Sequence, residues 1–130
     1  MLKILFLFSL VLVVSSMPGV AGAEPIQHHG YVVNAQGNSR ECLACHDGSM
    51  AKAVSSCLNG RCPVGGSHPV DTPYPPAGHE GEYVATVSGS IRLLNGQVTC
   101  ISCHNLQNPQ PDHPSVDLAT TNLCLNCHRK

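Results

Sequence analysis

Tryptophan is missing from this chain of 130 residues, and both of its phenylalanines, Phe6 and Phe8, fall within the first ten positions. Beyond them the aromatic side chains are Tyr31, Tyr74 and Tyr83. A chain this poor in large side chains, with ten Pro and twelve Gly, lacks the apolar volume that normally offsets the entropy of ordering a domain. Charge is scarce as well, at 12% of residues. After residue 23 there are six basic side chains against eight acidic ones, which argues against a nucleic-acid-binding surface. The single long apolar run, Ile4 to Val14, is too short to span a bilayer. Preceded by Lys3 and followed by Ala21-Gly22-Ala23, it reads as a signal peptide over residues 1–23. The remaining residues, 24–130, make one domain at most. With no cysteine before Cys42 and no later apolar stretch, the expectation is an exported, soluble protein without a lipid or membrane anchor.

Eight Cys and eight His are abundant by contrast. Six of the cysteines fall in three copies of one pentad, C-x-x-C-H: Cys42-Leu43-Ala44-Cys45-His46, Cys100-Ile101-Ser102-Cys103-His104 and Cys124-Leu125-Asn126-Cys127-His128. Random placement at this composition gives roughly 0.03 copies. The spacing is that of c-type haem attachment, in which two thiols add to the vinyl groups of one haem and the next imidazole ligates its iron. On a helical turn these positions share a face. Structural zinc also uses Cys and His at short spacings, but it leaves unexplained the His that closes each pair. Three haems would also fill the core that the side chains cannot, so ordering and cofactor loading become one event.

The pattern along the chain predicts a small, mostly irregular fold with short α-helices at the haem-binding motifs and a minor β-hairpin. Asn38 with Glu41 predicts a capped helix that begins just before Cys42 and runs about two turns, toward Gly48 or Lys52. Residues 53–81 are rich in Gly and Pro and read as loop. Tyr31 to Val33 is at best a short extended segment, and Tyr83 to Val87 alternates weakly as a strand. Asn95-Gly96 is a hairpin turn between 91–94 and 97–100. Thr120 or Thr121 is the expected cap of the last turn. Cys57 and Cys62 lie outside the pentads, and Pro63 follows them where an axial His would stand. In an oxidising compartment a local disulfide is the expected state, with free thiols or a metal clip as alternatives.

The sixth ligand decides what a haem does: a filled site favours electron transfer, an open one small-molecule binding. Beyond residue 23 the one methionine is Met50, four residues after His46 and on the same side of its helix, so at most one iron has access to it. Five histidines remain: His28, His29, His68, His79 and His113. His68 and His113 each precede Pro, which restrains the backbone to an extended form and stiffens the presenting loop. These two are the preferred distal ligands. His29 or His28 is preferred for the third iron over His79, which sits between Gly78 and Glu80. The spacing leaves open which histidine serves which iron. Three bis-His irons would be low-spin and low in potential, suited to moving electrons.

Cys42 through Ser49 followed by Ser67-His68-Pro69-Val70, Leu93 through Asn105, and Leu123 through Arg129 together resemble the multihaem c-type cytochromes of the doubled C-x-x-C-H kind, here a small trihaem form. In that family a Pro-His often follows the middle pentad, where this chain reads Asn105-Leu106-Gln107; His113 is the substitute. The resemblance implies a periplasmic or extracellular carrier in anaerobic respiration or extracellular electron transfer. Its partners would be redox proteins: an upstream quinol oxidoreductase or cytochrome, and a downstream reductase or outer-membrane conduit. Two alternatives stand beside it. His28 and His29, near the mature N-terminus, would suit a subunit of a homo-oligomer or conductive filament that donates a ligand to its neighbour. An open iron at the middle pentad would suit a small reductase.

Overall fold

The computed structural model describes residues 24–54, 57–58 and 69–129. The expected signal peptide, His68 and Cys62 lie outside the described residues, as does the side chain of Cys57. Regular structure is short and local. β1 (Pro25–His28) and β2 (Tyr31–Asn34) form an antiparallel hairpin with His28 opposite Tyr31. Its two-residue turn, His29-Gly30, takes φ of 51° and 85°, the left-handed pair that a tight hairpin demands. Glycine meets this need at no steric cost; His29 does not.

α1 (Ser39–Leu43) begins at Asn38 with a reciprocal cap. The Asn38 Oδ1 accepts from the Glu41 amide at 3.1 Å, and the Glu41 carboxylate accepts from the Asn38 amide at 2.8 Å. A Cβ at Gly37 would lie 2.8 Å from that carboxylate, so glycine there lets the cap close. The helix stops earlier than the expected two turns. After Ala44 the chain doubles back: Ala51 N–H reaches the Cys45 carbonyl at 3.0 Å and Val54 N–H the His46 carbonyl at 3.2 Å. Those bonds compete for the carbonyls a longer helix would use.

Two further small sheets follow. β3 (Cys57–Leu58) pairs in parallel with β4 (Pro69–Val70), and β5 (Thr72–Pro73) pairs antiparallel with β6 (Gln97–Val98). Asn95 and Gly96 make the expected turn at φ 52° and 73°, closed by paired amides between Leu94 and Gln97. The hairpin ends after that single bridge, because β6 takes β5 as its neighbour instead. α2 (Cys100–Cys103) follows directly and packs on α1. Short 3-10 turns cover Glu80–Glu82 and Leu123–Asn126. The second is capped by Asn122, whose Oδ1 accepts from Cys124 N–H at 3.0 Å, whereas Thr120 and Thr121 bond back to Asp117.

The core is thin. Among the described residues the buried apolar side chains are Ala35, Val70, Ile91, Ile101 and Val116, with Ser39, Thr99, Ser102 and Ser115 as buried polar ones. All are small or medium, and a domain held by these alone would be marginal. Among the described residues no helix is long and apolar enough to cross a membrane.

Candidate functional site

Each pentad folds as one helical turn with the same closing bond. The amide of its histidine donates to the carbonyl of its first cysteine: His46 to Cys42 at 3.0 Å, His104 to Cys100 at 3.0 Å and His128 to Cys124 at 2.9 Å. The i to i+4 geometry puts the first cysteine and the histidine on one side of the turn. This holds although the third pentad is a 3-10 turn and the others include α-helix.

The pentads also meet one another. The Cys42 and Cys100 thiols are neighbours, and their interaction lowers Cys100 to about 6 and raises Cys42, with burial adding to the rise. Burial raises the Cys103 thiol, and the sulfurs of Cys127, Cys100 and Cys124 add to the effect. The six pentad cysteines are all unpaired by disulfide.

The histidines gather on the first two pentads. His28 and His29 at the hairpin tip lie with ring centroids 4.1 Å apart, and 6.0 and 5.6 Å from His46. One ligand nitrogen from each of these three lies within 4.8 Å of the other two. His113 approaches His28 edge-on at 5.2 Å. Burial first, and then repulsion from His29, His113, His46 and His104, holds His28 below the usual histidine range. Such a group of imidazoles suits a first-row transition metal.

Three of the rings have a fixed tautomer. His46 Nδ1 lies 3.1 Å from the Lys52 carbonyl, His104 Nδ1 2.6 Å from that of Asp112, and His113 Nδ1 2.6 Å from that of Asn108. A carbonyl only accepts, so Nδ1 carries a proton, and in the neutral ring Nε2 is the nitrogen with the lone pair. His113 was expected on extended backbone ahead of Pro114. It takes φ 46° instead, after Asp112 at 60°, because the chain must turn there to aim the Asp112 carbonyl at His104. His29 and His113, two of five non-glycine residues with positive φ among the described residues, are thus held in costly conformations of the kind that gather at functional sites.

The second and third pentads end in matching bridges. Pro114 lies opposite His104, flanked by Asn105 N–H to His113 O at 2.6 Å and Ser115 N–H to Cys103 O at 2.9 Å. Tyr83 lies opposite His128, flanked by Val84 N–H to Cys127 O at 2.9 Å and Arg129 N–H to Glu82 O at 2.8 Å. The weak strand expected over 83–87 is reduced to this one rung. An open groove of about 510 Å³ is lined by residues 118–124 and ends on Cys124; a smaller one of about 150 Å³ borders Ile101 and His104.

His79 stands apart from these contacts, exposed and paired with the Glu82 carboxylate at 3.0 Å. Met50 ends beside Cys45, whose thiol donates to its sulfur at 3.9 Å. Tyr74 and Tyr83, which belong to no functional motif of the sequence, lie against the third pentad; the one signal for them is aromatic scarcity. Compared with protein-family models, with curated proteins and with solved structures, the chain gives no match.

Proposed function

We propose that this chain is an exported electron carrier with three covalently attached c-type haems, one at each pentad, working between redox partner proteins in the periplasm or outside the cell. The observation that carries the reading is the convergence of His28 and His29 on His46, within 4.8 Å between ligand nitrogens. Nitrogens this close could share one metal ion. The donor set fits the group: paired thiols and an imidazole on one face of a turn, with Nδ1 of His46 and His104 tied to carbonyls. A bond from the other ring nitrogen to a carbonyl orients a metal-ligating histidine. The thin apolar core and the groove ending on Cys124 accord with a cofactor of large apolar surface.

In this reading Cys42, Cys45, Cys100, Cys103, Cys124 and Cys127 hold the haems, and His46, His104 and His128 are the proximal ligands. His29 or His28 completes the first site, and His113 and His68 are assigned to the others. The bound haem supplies one-electron chemistry. The chain ties Nδ1 of His46, His104 and His113 to carbonyls, which leaves Nε2 as the ligating nitrogen, and the first and second pentads pack together. The hairpin carrying His28 and His29 folds back on its own chain, which favours a self-contained carrier over a filament that shares ligands.

Intact mass of protein made in a host competent in cytochrome maturation, with optical spectra of both redox states, tests this. Three haem additions and wholly low-spin spectra are expected. A colourless protein, or a high-spin majority, overturns it.

A further inference from the structure

Residues 82–84 and 127–129 form an antiparallel rung in which Tyr83 and His128 are the pair lying between two wide-spaced amide bonds. That register brings facing side chains closest. The two rings are in contact, with centroids 4.6 Å apart and planes tilted by 41°. Tyr74 locks the same rung from behind. Its hydroxyl reaches the Val84 carbonyl at 2.9 Å and the Cys127 carbonyl at 3.0 Å, one from each side of the rung. Its ring meets Tyr83 edge-on at 5.7 Å and 88°, a favoured aromatic geometry. Tyr74 and Tyr83 are both partly buried, whereas Cys124 and Leu125 of the same pentad are exposed. Two of the three tyrosines of the chain thus gather at the end of the short 3-10 turn that leads into His128.

We infer that Tyr83 is a positioning residue for His128, setting the plane of that axial imidazole, and that Tyr74 anchors it. The inference rests on the three-haem reading. Imidazole orientation governs the electronic anisotropy of a low-spin iron and contributes to its potential through the axial ligand and its surroundings. Tyr83 and Tyr74 therefore act on one haem of three.

The test is electron paramagnetic resonance and redox titration of the holo-protein carrying Tyr83→Leu, Tyr83→Phe or Tyr74→Phe, with His128→Met identifying the signal of the third haem. Tyr83→Leu is expected to displace that signal and its potential alone. Tyr83→Phe, which keeps the ring, leaves it in place, and Tyr74→Phe moves it by less than Tyr83→Leu. If Tyr83→Leu fails to fold, Tyr74→Phe carries the decision. Unchanged signals in whichever of Tyr83→Leu and Tyr74→Phe fold, or equal shifts in all three haems, overturn the inference while leaving the three-haem reading intact. Wild-type protein without three low-spin signals overturns both.

Discussion

The second and third pentads end in the same bridge, a strap of chain laid antiparallel across the closing histidine, yet the two straps bring different chemistry. At His104 the strap offers Pro114 as the facing residue and the Asp112 carbonyl as partner to Nδ1. At His128 it offers the ring of Tyr83. The second pentad is set into the fold: Ile101 and Ser102 are buried and Ser115 Oγ donates to the Ser102 carbonyl. The third is at the surface, with Leu125 40% exposed. One five-residue motif thus fixes where the thiols and imidazole emerge, while the strap fixes how the imidazole is held.

The harshest way to break this comparison is to remove each attachment in turn. In the three-haem reading, Cys100→Ala with Cys103→Ala would delete the haem of the pentad that packs on α1, and should abolish cooperative thermal unfolding. Cys124→Ala with Cys127→Ala should remove one haem from the intact mass and leave a cooperative melt. Equal losses would show that burial of the motif does not matter. The first pentad is the control. Of His28→Ala and His29→Ala, one should turn about a third of the haem high-spin and open to carbon monoxide, as expected for a single vacated sixth ligand; spectra without change in either variant would remove the hairpin from the iron.

Smaller effects sharpen the contrast. Ser115→Ala leaves a buried carbonyl short of a donor and should cost about 1.5 kcal/mol by denaturant titration. Asn122→Ala removes the cap of an exposed 3-10 turn and should cost about 0.5 kcal/mol. The reverse ranking would place the third pentad deeper in the fold than its exposure indicates. The least effect belongs to His79, at the head of the strap over His128. The Glu82 carboxylate raises its pKa through a hydrogen bond and then through charge, so the charged form is the one favoured in the fold. Its contribution is complete below the ordinary histidine pKa and fades as pH rises through the raised value. Exposure keeps it small. Proton resonances of His79 should titrate above the ordinary value, and Glu82→Gln should bring them down.

Much of the local structure is legible in the sequence. Asn38 and Glu41 specify their cap because both partners lie within one turn, and Asn95-Gly96 specifies its turn because few residues tolerate two positive φ values in succession. The hairpin at His29-Gly30 was not legible: Pro25-Ile26-Gln27-His28 carries no strong strand pattern, and its pairing with β2 places an imidazole where glycine or asparagine would ordinarily be sought. His113 was legible as a candidate ligand, but its left-handed backbone was not, since Pro114 alone argues for an extended residue.

By itself, then, the sequence determined the three pentad turns, because the bonds that fold each pentad run between residues three or four places apart. It also determined that side chains alone make a poor core, a matter of composition. Only the tertiary structure decided that His28 and His29 stand by His46, that Cys42 meets Cys100, and that Tyr83 lies on His128. Those contacts join segments up to about sixty residues apart. What selects them is the fit of straps and turns around a shared interior, which no local pattern of residues encodes.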